Sequence, residues 1–267
     1  MLVAVTETGK RIVSFKTTDE DKKTKFYCPV CGEEVILKRG KHKIPHFAHK
    51  VKSDCTNGEG ETREHLEVKQ WLYNYFRSRG IYAVLESTKW GKDIRPDVAA
   101  YIKGRWVGFE VQRSNISEDA INSRIERNND HGISVMWILT ESFYKNAKHG
   151  GRFRMRAQDK YLMQLNYGTL FVYGNNALHA MKAQKAESWV PATDFGGGYY
   201  KTLKATYCCT HDSEIDLLND CLPQRHEAYE NKHCCLPECT LYGLNYNKSK
   251  NLDEIPNHYY PTDYRGG

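Results

Sequence analysis

The chain has 267 residues with 40% hydrophobic and 27% charged side chains, which is typical of a globular protein with one sizeable core. Its formal net charge is +6 at pH 7, and residues 22–52 hold nine of the lysines and arginines against Glu33 and Glu34. This local basicity suits an acidic partner such as nucleic acid, although a solvated basic face is the commoner meaning of a charge run.

The sequence also restricts the setting in which the protein works. No apolar run approaches the roughly 18 residues that span a bilayer, and the first residues lack a signal-peptide pattern. We therefore expect a soluble, cytoplasmic protein without a membrane partner. Nine cysteines in such a chain argue against a disulfide framework and for metal ligation or buried thiols.

Two groups of metal-ligating side chains lie in the first region. Cys28 and Cys31 form a Cys-x-x-Cys knuckle, and His46, His49 and Cys55 follow about one β-hairpin later. Zinc binds four nitrogen and sulfur donors with this split spacing. We predict a structural Zn²⁺ site of Cys28, Cys31, His49 and Cys55, with His46 as the alternative ligand. Reduced cysteines packed in a small apolar cluster are the other interpretation, but so short and polar a region has little core without metal.

Periodic patterns after the Gly-rich stretch TNGEGET predict alternating helices and strands. A helix over 61–79 stops at Gly80 and carries the apolar stripe Val68, Trp71, Leu72, Tyr75 and Phe76. The β-like runs IYAVLEST, PDVAAYI and WVGFEVQ precede a helix from about Ser117, a good N-cap, to His131, with Gly132 closing its last turn. The strand ISVMWILT, a further helix and the strand GTLFVYG complete the order α-β-β-β-α-β with an additional α-β unit, which makes a right-handed crossover expected.

Residues 95–112, RPDVAAYIKGRWVGFEVQ, predict a hairpin that brings two carboxylates together. Lys-Gly at 103–104 is the turn signal, and a two-residue loop there places Asp97 opposite Glu110. Paired side chains lie about 5 Å apart, so the two carboxylates repel unless a cation lies between them. Gln112 points to the same face, because strand side chains alternate. A longer loop or a bulge would shift the register and separate the pair. The opposite face is apolar and suits a core: Val98, Ala100, Ile102, Val107, Phe109 and Val111.

Glu64 supplies a third carboxylate, because it lies four residues before Val68 on the inward stripe of the preceding helix. Three carboxylates at one end of a sheet form a hard oxygen site suited to Mg²⁺ or Mn²⁺, which activates water and stabilises charge on a phosphodiester. Taken alone, each acid is also compatible with a surface carboxylate. His65 and Lys69 lie one residue off the stripe, where a phosphate contact and a solvated or hydrogen-bonded role both fit.

Six motifs carry a resemblance to a known family: C-P-x-C, H-F-A-H, E-H-L-x-x-K, R-P-D-V, F-E-V-Q-x-S and W-I-L, in this order. Over roughly residues 1–175 the chain resembles the competence protein CoiA family, whose core is similar to the PD-(D/E)xK nucleases. The expected fold is α/β, with a restriction-endonuclease-like αβββαβ core, a small N-terminal zinc-binding β module and a Cys/His-rich C-terminal extension. The resemblance further implies DNA processing in uptake and recombination, with a RecA-type recombinase as the functional neighbour.

The resemblance assigns roles to four residues. Asp97 and Glu110 match the metal-binding acids, and Glu64 matches the acid of the first helix. Gln112 stands where many of these nucleases have a lysine, and an amide orients water but offers no positive charge. The expected activity is Mg²⁺- or Mn²⁺-dependent hydrolysis of DNA, with branched or single-stranded DNA and a competence or mobile-element setting as candidates. The alternative is a non-catalytic DNA-binding or recombinase-loading protein on a nuclease scaffold.

Basic residues on two regions are the candidate phosphate contacts, and none of them implies base readout. Those on the zinc module are Lys38, Arg39, Lys41 and Lys43, and those expected beside the active face are Arg113, Arg124 and Arg127. For each one, a solvated cation is the other interpretation.

Three regions are expected: a zinc-binding module over 1–58, a nuclease domain over 59–185 and a Cys/His/Tyr-rich extension over 186–267. In the extension, FGGGYY indicates a hinge or tight turns, and we expect a helix over about 213–222. A second zinc site competes there with buried free cysteines, and its candidate ligands are Cys208, Cys209, His211, Cys221, His226, His233, Cys234, Cys235 and Cys239.

Overall fold

A computed structural model describes residues 1–41, 43–50, 54–55, 61–148, 151–166, 168–194 and 196–218. The chain divides into two compact units. The first contains Met1–Val111 and Asp130–Ile133, and the second contains Gln112–Asn129 and the described residues from Ser134 onward.

The N-terminal part of the first unit is an antiparallel β sheet. Its strands are β1 (Val3–Val5), β2 (Arg11–Val13), β3 (Phe26–Tyr27), β4 (Glu34–Gly40) and β5 (Lys43–His49), in the order β2-β1-β3-β4-β5. They surround a small core of Met1, Ala4, Phe26, Cys28, Val35, Leu37 and Phe47. Because this core is small, a metal ligated by neighbouring cysteines would add substantially to its stability.

Helix α1 (Arg63–Ser78) confirms the helix that the sequence predicts over 61–79. Thr62 caps its N-terminus by accepting from the His65 N–H, and Gly80 follows its C-terminus with φ 73°. The buried face differs from the predicted stripe: Trp71 and Tyr75 are only half-buried and stack on each other, with ring centroids 5.2 Å apart. The buried positions are Leu66, Val68, Lys69, Leu72, Tyr73 and Phe76. The pattern missed Lys69, because a lysine is buried only where its charge is paired.

Strands β6 (Ala83–Leu85), β7 (Val98–Ile102) and β8 (Arg105–Gln112) pair antiparallel in sequence order. The hairpin register is as predicted, from Ile102 opposite Arg105 to Val98 opposite Phe109. All six residues predicted for the apolar face are buried: Val98, Ala100, Ile102, Val107, Phe109 and Val111. Lys103 and Gly104 both have positive φ, 46° and 85°, as a two-residue turn of this kind requires.

The described part of the second unit contains three helices, the two strands predicted from ISVMWILT and GTLFVYG, and further strands that the sequence patterns did not predict. Its helices are α2 (Glu118–Asn129), α3 (Glu141–Ala147) and α4 (Ala157–Leu165). Its strands are β9 (Ile133–Leu139), whose first residue belongs to the first unit, β10 (Arg152–Arg154), β11 (Thr169–Gly174), β12 (Ala177–Val190) and β13 (Tyr199–Glu214). They are ordered β10-β13-β12-β11-β9, with β11 parallel to β9. All seven residues of β9 are buried, as its apolar run predicts.

The helix expected over 213–222 is wrong where the structure describes it. Residues 213 and 214 belong to β13, which pairs with β12 down to His179 opposite Glu214. Long-range pairing overrides the local pattern here. Cys208, Cys209 and His211 lie on β13, whereas the other candidates for a second zinc site lie outside the described residues, so that site stays a prediction.

The mixed α/β class is confirmed, and the described elements include the order α1-β6-β7-β8-α2-β9. The restriction-endonuclease-like core and the limits of the three predicted regions stay predictions. Strand β12 runs through residue 185, where the sequence places the end of the nuclease domain. Within the described part of the chain, the helices are too short or too polar to cross a membrane.

The turn at 103–104 generates a prediction about stability. Gly104→Ala will lower the free energy of unfolding by about 1 kcal/mol, because an alanine is strained in the left-handed backbone conformation that Gly104 adopts. A Cβ at Gly104 meets no atom within 4 Å, so the loss is conformational and not steric. Lys103→Gly is the matched control and will not lower stability. Urea unfolding followed by circular dichroism measures both, and equal stability of Gly104→Ala and wild type would contradict the turn geometry.

Candidate metal centres

The four predicted zinc ligands converge at one point. The ligand atoms of Cys28, Cys31, His49 and Cys55 all lie within 4.8 Å of one another. The Cys28 and Cys55 sulfurs are 4.0 Å apart, and the Cys31 sulfur is 3.3 Å from Nε2 of His49. A tetrahedral zinc with sulfur bonds of about 2.3 Å has sulfurs about 3.8 Å apart, so this donor set fits the ion.

The knuckle is formed by backbone hydrogen bonds around Cys28. Gly32, at φ 80°, donates its N–H to the Cys28 carbonyl over 2.9 Å, and the Val30 N–H donates to the Cys28 sulfur over 3.4 Å. The alternative ligand His46 is not among these clustered ligand atoms, and its Nδ1 is hydrogen-bonded to the Ile44 carbonyl at 2.8 Å. The geometry therefore favours His49 over His46 as the fourth donor.

Without a cation, the Cys31 thiol resists ionisation. Burial, together with the neighbouring Cys28 and Cys55 thiols, raises the pKa of Cys31 to about 11. Zinc binds thiolates, so its charge would reverse this effect and release protons on binding.

A second group of potential ligands surrounds Asp97 in the first unit. The ligand atoms of Glu61, His65 and Asp97 lie within 4.8 Å of one another. Nε2 of His65 is 2.9 Å from Oδ2 of Asp97, and the same oxygen accepts from the Val111 N–H over 2.9 Å. Asp97 immediately precedes β7, and the hairpin register thus brings the β8 backbone to its carboxylate.

A buried lysine lies at the centre of this group. The side chain of Lys69 is 1% exposed, and its ammonium contacts the carboxylates of Glu61, Glu86 and Asp97. The distance from Nζ to Oδ1 of Asp97 is 3.3 Å. The Met1 amino group also pairs with Glu61. Three carboxylates from three different segments are therefore held together by one ammonium group.

The charges of this group shift one another's pKa. Burial opposes the charge of Asp97, but His65 and Lys69 outweigh it and hold the pKa of Asp97 well below its usual range. Burial likewise opposes the charge of Glu61, yet Lys69 and the amino terminus lower the pKa of Glu61 to about 2. The pKa of Lys69 is raised, because Glu86, Asp97 and Glu61 outweigh the effect of burial. Asp97, Glu61 and Lys69 are consequently all charged at neutral pH.

Glu86 connects this group to the N-terminal sheet. Its carboxylate accepts from the backbone N–H groups of Leu2, at 2.9 and 3.0 Å, and Val3, at 3.2 Å. Glu86 has φ 44°, a left-handed conformation that is costly for a residue with a side chain. The hydrogen bonds and the Lys69 contact offset that cost, so strand β1 and helix α1 are joined through one carboxylate.

The residues predicted for the active site do not all join this group. Asp97 belongs to it, whereas Glu64, Glu110 and Gln112 are not among its ligating atoms in the described structure. Glu64 is half-buried and Glu110 is 5% exposed. The Gln112 amide, in the second unit, donates to the Ser114 carbonyl over 2.5 Å. The roles assigned to these residues stay predictions.

Sequence reasoning missed Glu61 and Glu86 and left Lys69 undecided. Glu61 lies before the helix cap and Glu86 follows β6, so neither falls on a periodic face that a pattern could detect. The available signal was His65 and Lys69 at i and i+4, which share one face of α1.

The predicted phosphate contacts are mostly exposed. Lys38, Lys41 and Lys43 lie at the exposed end of the β4–β5 hairpin, while Arg39 is half-buried with Nε 3.8 Å from Asp19. The predicted contacts Arg113, Arg124 and Arg127, which lie in the second unit, are exposed as well. Exposure makes these side chains available to phosphate, and their role in DNA binding stays a prediction.

The chain matches two models of one protein family. The family model described as the nuclease-like domain of competence protein CoiA matches residues 61–210, and the one described as the CoiA N-terminal domain matches residues 13–58. The chain belongs to the competence protein CoiA family. It is 38% identical over 127 residues to the competence protein CoiA of Bacillus subtilis (strain 168).

The match to that CoiA protein covers 47% of this chain and 34% of the Bacillus protein, so the chain spans about a third of the length of this curated relative. No solved structure matches the chain. The predicted zinc ligands fall within the CoiA N-terminal match, and Glu61, His65, Lys69, Glu86 and Asp97 fall within the nuclease-like match.

The zinc centre yields a prediction that separates its two candidate histidines. His49→Ala will lose most of the bound zinc, because one of four donors is removed. His46→Ala is the matched control and will keep it, since the ring nitrogens of His46 are not among the clustered ligand atoms. Zinc per chain after dialysis, measured by plasma mass spectrometry, decides between them. Loss of zinc in His46→Ala with retention in His49→Ala would reverse the ligand assignment.

A second prediction concerns the buried ammonium. Lys69→Met will lower the free energy of unfolding by about 3–5 kcal/mol, because it leaves buried carboxylates without their cation. Lys145→Met is the matched control, since Lys145 is 69% exposed and its pair with Glu141 contributes less than about 1 kcal/mol. Chemical unfolding of both variants tests this, and equal small losses would show that Lys69 does not organise the group.

Proposed function

We propose that this CoiA-family chain is a metal-dependent deoxyribonuclease that processes DNA in competence and recombination. The observation that carries the proposal is the convergence of Glu61, His65 and Asp97 within the segment matched by the nuclease-like family model. Two acids and an imidazole with ligand atoms within 4.8 Å of one another are a suitable donor set for a divalent cation.

Mg²⁺ or Mn²⁺ would be held by Asp97 and Glu61, with His65 as a nitrogen donor and Glu110 as the further acid implied by the CoiA resemblance. Carboxylates suit both ions, and the imidazole favours Mn²⁺, because transition metals bind nitrogen better than Mg²⁺ does. When bound, the ion would polarise the scissile phosphate and lower the pKa of an attacking water.

The chain's own residues contribute orientation and charge. Asp97 is fixed by the Val111 N–H and by His65, which restricts its carboxylate to one orientation. Lys69 keeps Glu61 and Asp97 ionised, so both acids stay available as ligands at neutral pH. Lys69 is a positioning residue here, because its side chain is 1% exposed and cannot reach a substrate. The role of Gln112, to orient water by hydrogen bonds as an amide can, is proposed from the CoiA resemblance alone.

The zinc module is proposed to grip the DNA backbone. Its exposed lysines Lys38, Lys41 and Lys43 lie on one hairpin, and neutralising phosphates there would give affinity without sequence preference. A RecA-type recombinase as partner and a cytoplasmic location belong to the same proposal and rest on the family and on the sequence.

One observation favours a second function, a DNA-binding or recombinase-loading protein that does not cleave. The carboxylates of Glu61, Glu86 and Asp97 are already neutralised in part by Lys69, and Glu61 also pairs with the Met1 amino group. Such a group is stable without a metal ion, as a scaffold requires.

A cleavage assay distinguishes the two functions. Wild-type protein with Mn²⁺ or Mg²⁺ will cleave at least one form of DNA among single strands, duplexes, flaps and four-way junctions. Asp97→Ala will lower the rate about 100-fold, the size expected when one preorganised charge-stabilising group is lost. Asp93→Ala, an exposed acid four residues earlier, is the matched control and will cleave normally.

Two outcomes would contradict the nuclease. One is DNA binding without cleavage in the wild type, which supports the scaffold. The other is cleavage that persists unchanged in Asp97→Ala, which would place the chemistry elsewhere. Glu61→Gln and Glu110→Gln, compared in the same assay, separate the acid found by geometry from the acid implied by the resemblance.

A further inference from the structure

Exposed aromatic side chains are concentrated at the end of the β12–β13 hairpin. Among the described residues, the large hydrophobic side chains classed as exposed are Ile36, Trp189, Tyr199 and Tyr200. Trp189, Tyr199 and Tyr200 are 52%, 56% and 68% exposed and all lie at this hairpin end. Single exposed hydrophobic residues are ordinary, but such a cluster marks an interaction site.

The hairpin end is a two-stranded ribbon whose faces are both open. It comprises residues 187–190 and 199–202, which we call the aromatic ribbon, and none of these residues is buried. The pairing passes from Lys185 with Tyr207 to Glu187 with Thr202, so residues 203–206 lie opposite Ala186 alone. This bulge separates the ribbon from the buried part of the two strands and changes the direction in which the ribbon's side chains point.

The aromatic rings are preorganised. Trp189 pairs with Tyr200 across the strands, and their ring centroids are 4.9 Å apart. The indole lies directly on the backbone of Gly198, where an added Cβ would be 2.2 Å from Cζ2 of Trp189. The Trp189 ring packs against Gly198 and Tyr200, so it loses little conformational entropy when a ligand binds to it.

Cations surround the ribbon. The exposed basic residues near it are Arg152, Arg154, Lys185, Lys201 and Lys204, against the exposed acids Glu187 and Asp194. Nη2 of Arg152 donates to the Glu187 carbonyl over 2.9 Å, which fixes its guanidinium beside the ribbon. Flat exposed rings beside an excess of positive charge match the two chemical parts of a nucleic acid, the base and the phosphate.

We propose that the aromatic ribbon binds single-stranded nucleic acid, with Trp189 and Tyr200 stacking on bases and the neighbouring lysines and arginines contacting phosphates. The inference rests on the proposed DNA substrate and specifies its form. Bases in a duplex are already stacked on each other, so the rings gain a partner chiefly where the strand is single. The ribbon therefore makes the protein discriminate single strands from duplexes.

Binding is measured by fluorescence anisotropy with labelled single-stranded DNA and the matched duplex, without added Mg²⁺ or Mn²⁺. Trp189→Ala and Tyr200→Ala will each weaken single-strand binding about fivefold or more, the range measured for loss of one base-stacking ring, and will change duplex binding less than about twofold. Trp189→Phe will keep most of the wild-type affinity for single-stranded DNA. Gln184→Ala, an exposed position on β12 outside the ribbon, is the matched control and will bind as the wild type does.

Gly198→Ala tests the packing of the Trp189 indole on Gly198 without removing a ring. It will weaken single-strand binding, because the added methyl group displaces the Trp189 ring. Unchanged single-strand affinity in a Trp189→Ala, Tyr200→Ala double variant would overturn the proposal and leave a protein partner for the ribbon. Equal losses on both forms of DNA would overturn it as well, since they indicate that the ribbon contacts duplex.

The outcome is separable from the nuclease proposal. A wild-type protein that cleaves no DNA but loses single-strand affinity on Trp189→Ala retains the ribbon site and loses the nuclease. A wild-type protein that cleaves DNA, with a double variant that binds and cleaves every substrate normally, retains the nuclease and loses the ribbon site.

Discussion

The buried ammonium of Lys69 is the interaction on which the first unit depends. It contacts Glu61 before helix α1, Glu86 after strand β6 and Asp97 before strand β7, so one charge joins three distant segments. Burying a lysine alone is costly, and three carboxylates together would repel one another. Each feature is tolerated because of the other. Glu86 extends the arrangement to strand β1 through the Leu2 and Val3 amides, so the N-terminal sheet and the acid group belong to one folded unit.

The same arrangement determines how the acid group can function. Lys69 keeps Glu61 and Asp97 ionised, which favours a metal ion, but its positive charge also opposes the approach of another cation. A divalent ion would have to share the carboxylates with the ammonium. This balance explains why one geometry supports both a nuclease and a non-catalytic scaffold, and why the CoiA family model, which describes a nuclease-like domain, does not by itself decide between them.

The sequence predicted local features well and long-range ones poorly. The Lys103-Gly104 turn, the strand register and the clustering of the four predicted zinc ligands followed from turn chemistry, alternation and ligand spacing, which act over short distances. Glu61 and Glu86 were missed, because only the folded chain shows that they meet Lys69. Glu64 was placed on the inward stripe by its spacing from Val68 and Trp71, and of these Val68 is buried and Trp71 only half-buried, because the buried face includes Lys69 and Tyr73. The aromatic ribbon was missed, because the sequence FGGGYY is typical of a local turn, whereas the ribbon forms by pairing of β12 with β13.

The most direct test of the metal centre is crystallography of the protein with Mn²⁺, using the anomalous signal of manganese to locate the ion. We predict a peak within bonding distance of Asp97 and Glu61, with His65 beside it and Lys69 retained against Glu86. Absence of a peak at Asp97 under conditions where Mn²⁺ supports cleavage would contradict it, and so would an ion bound by Glu64 or Glu110 without Glu61.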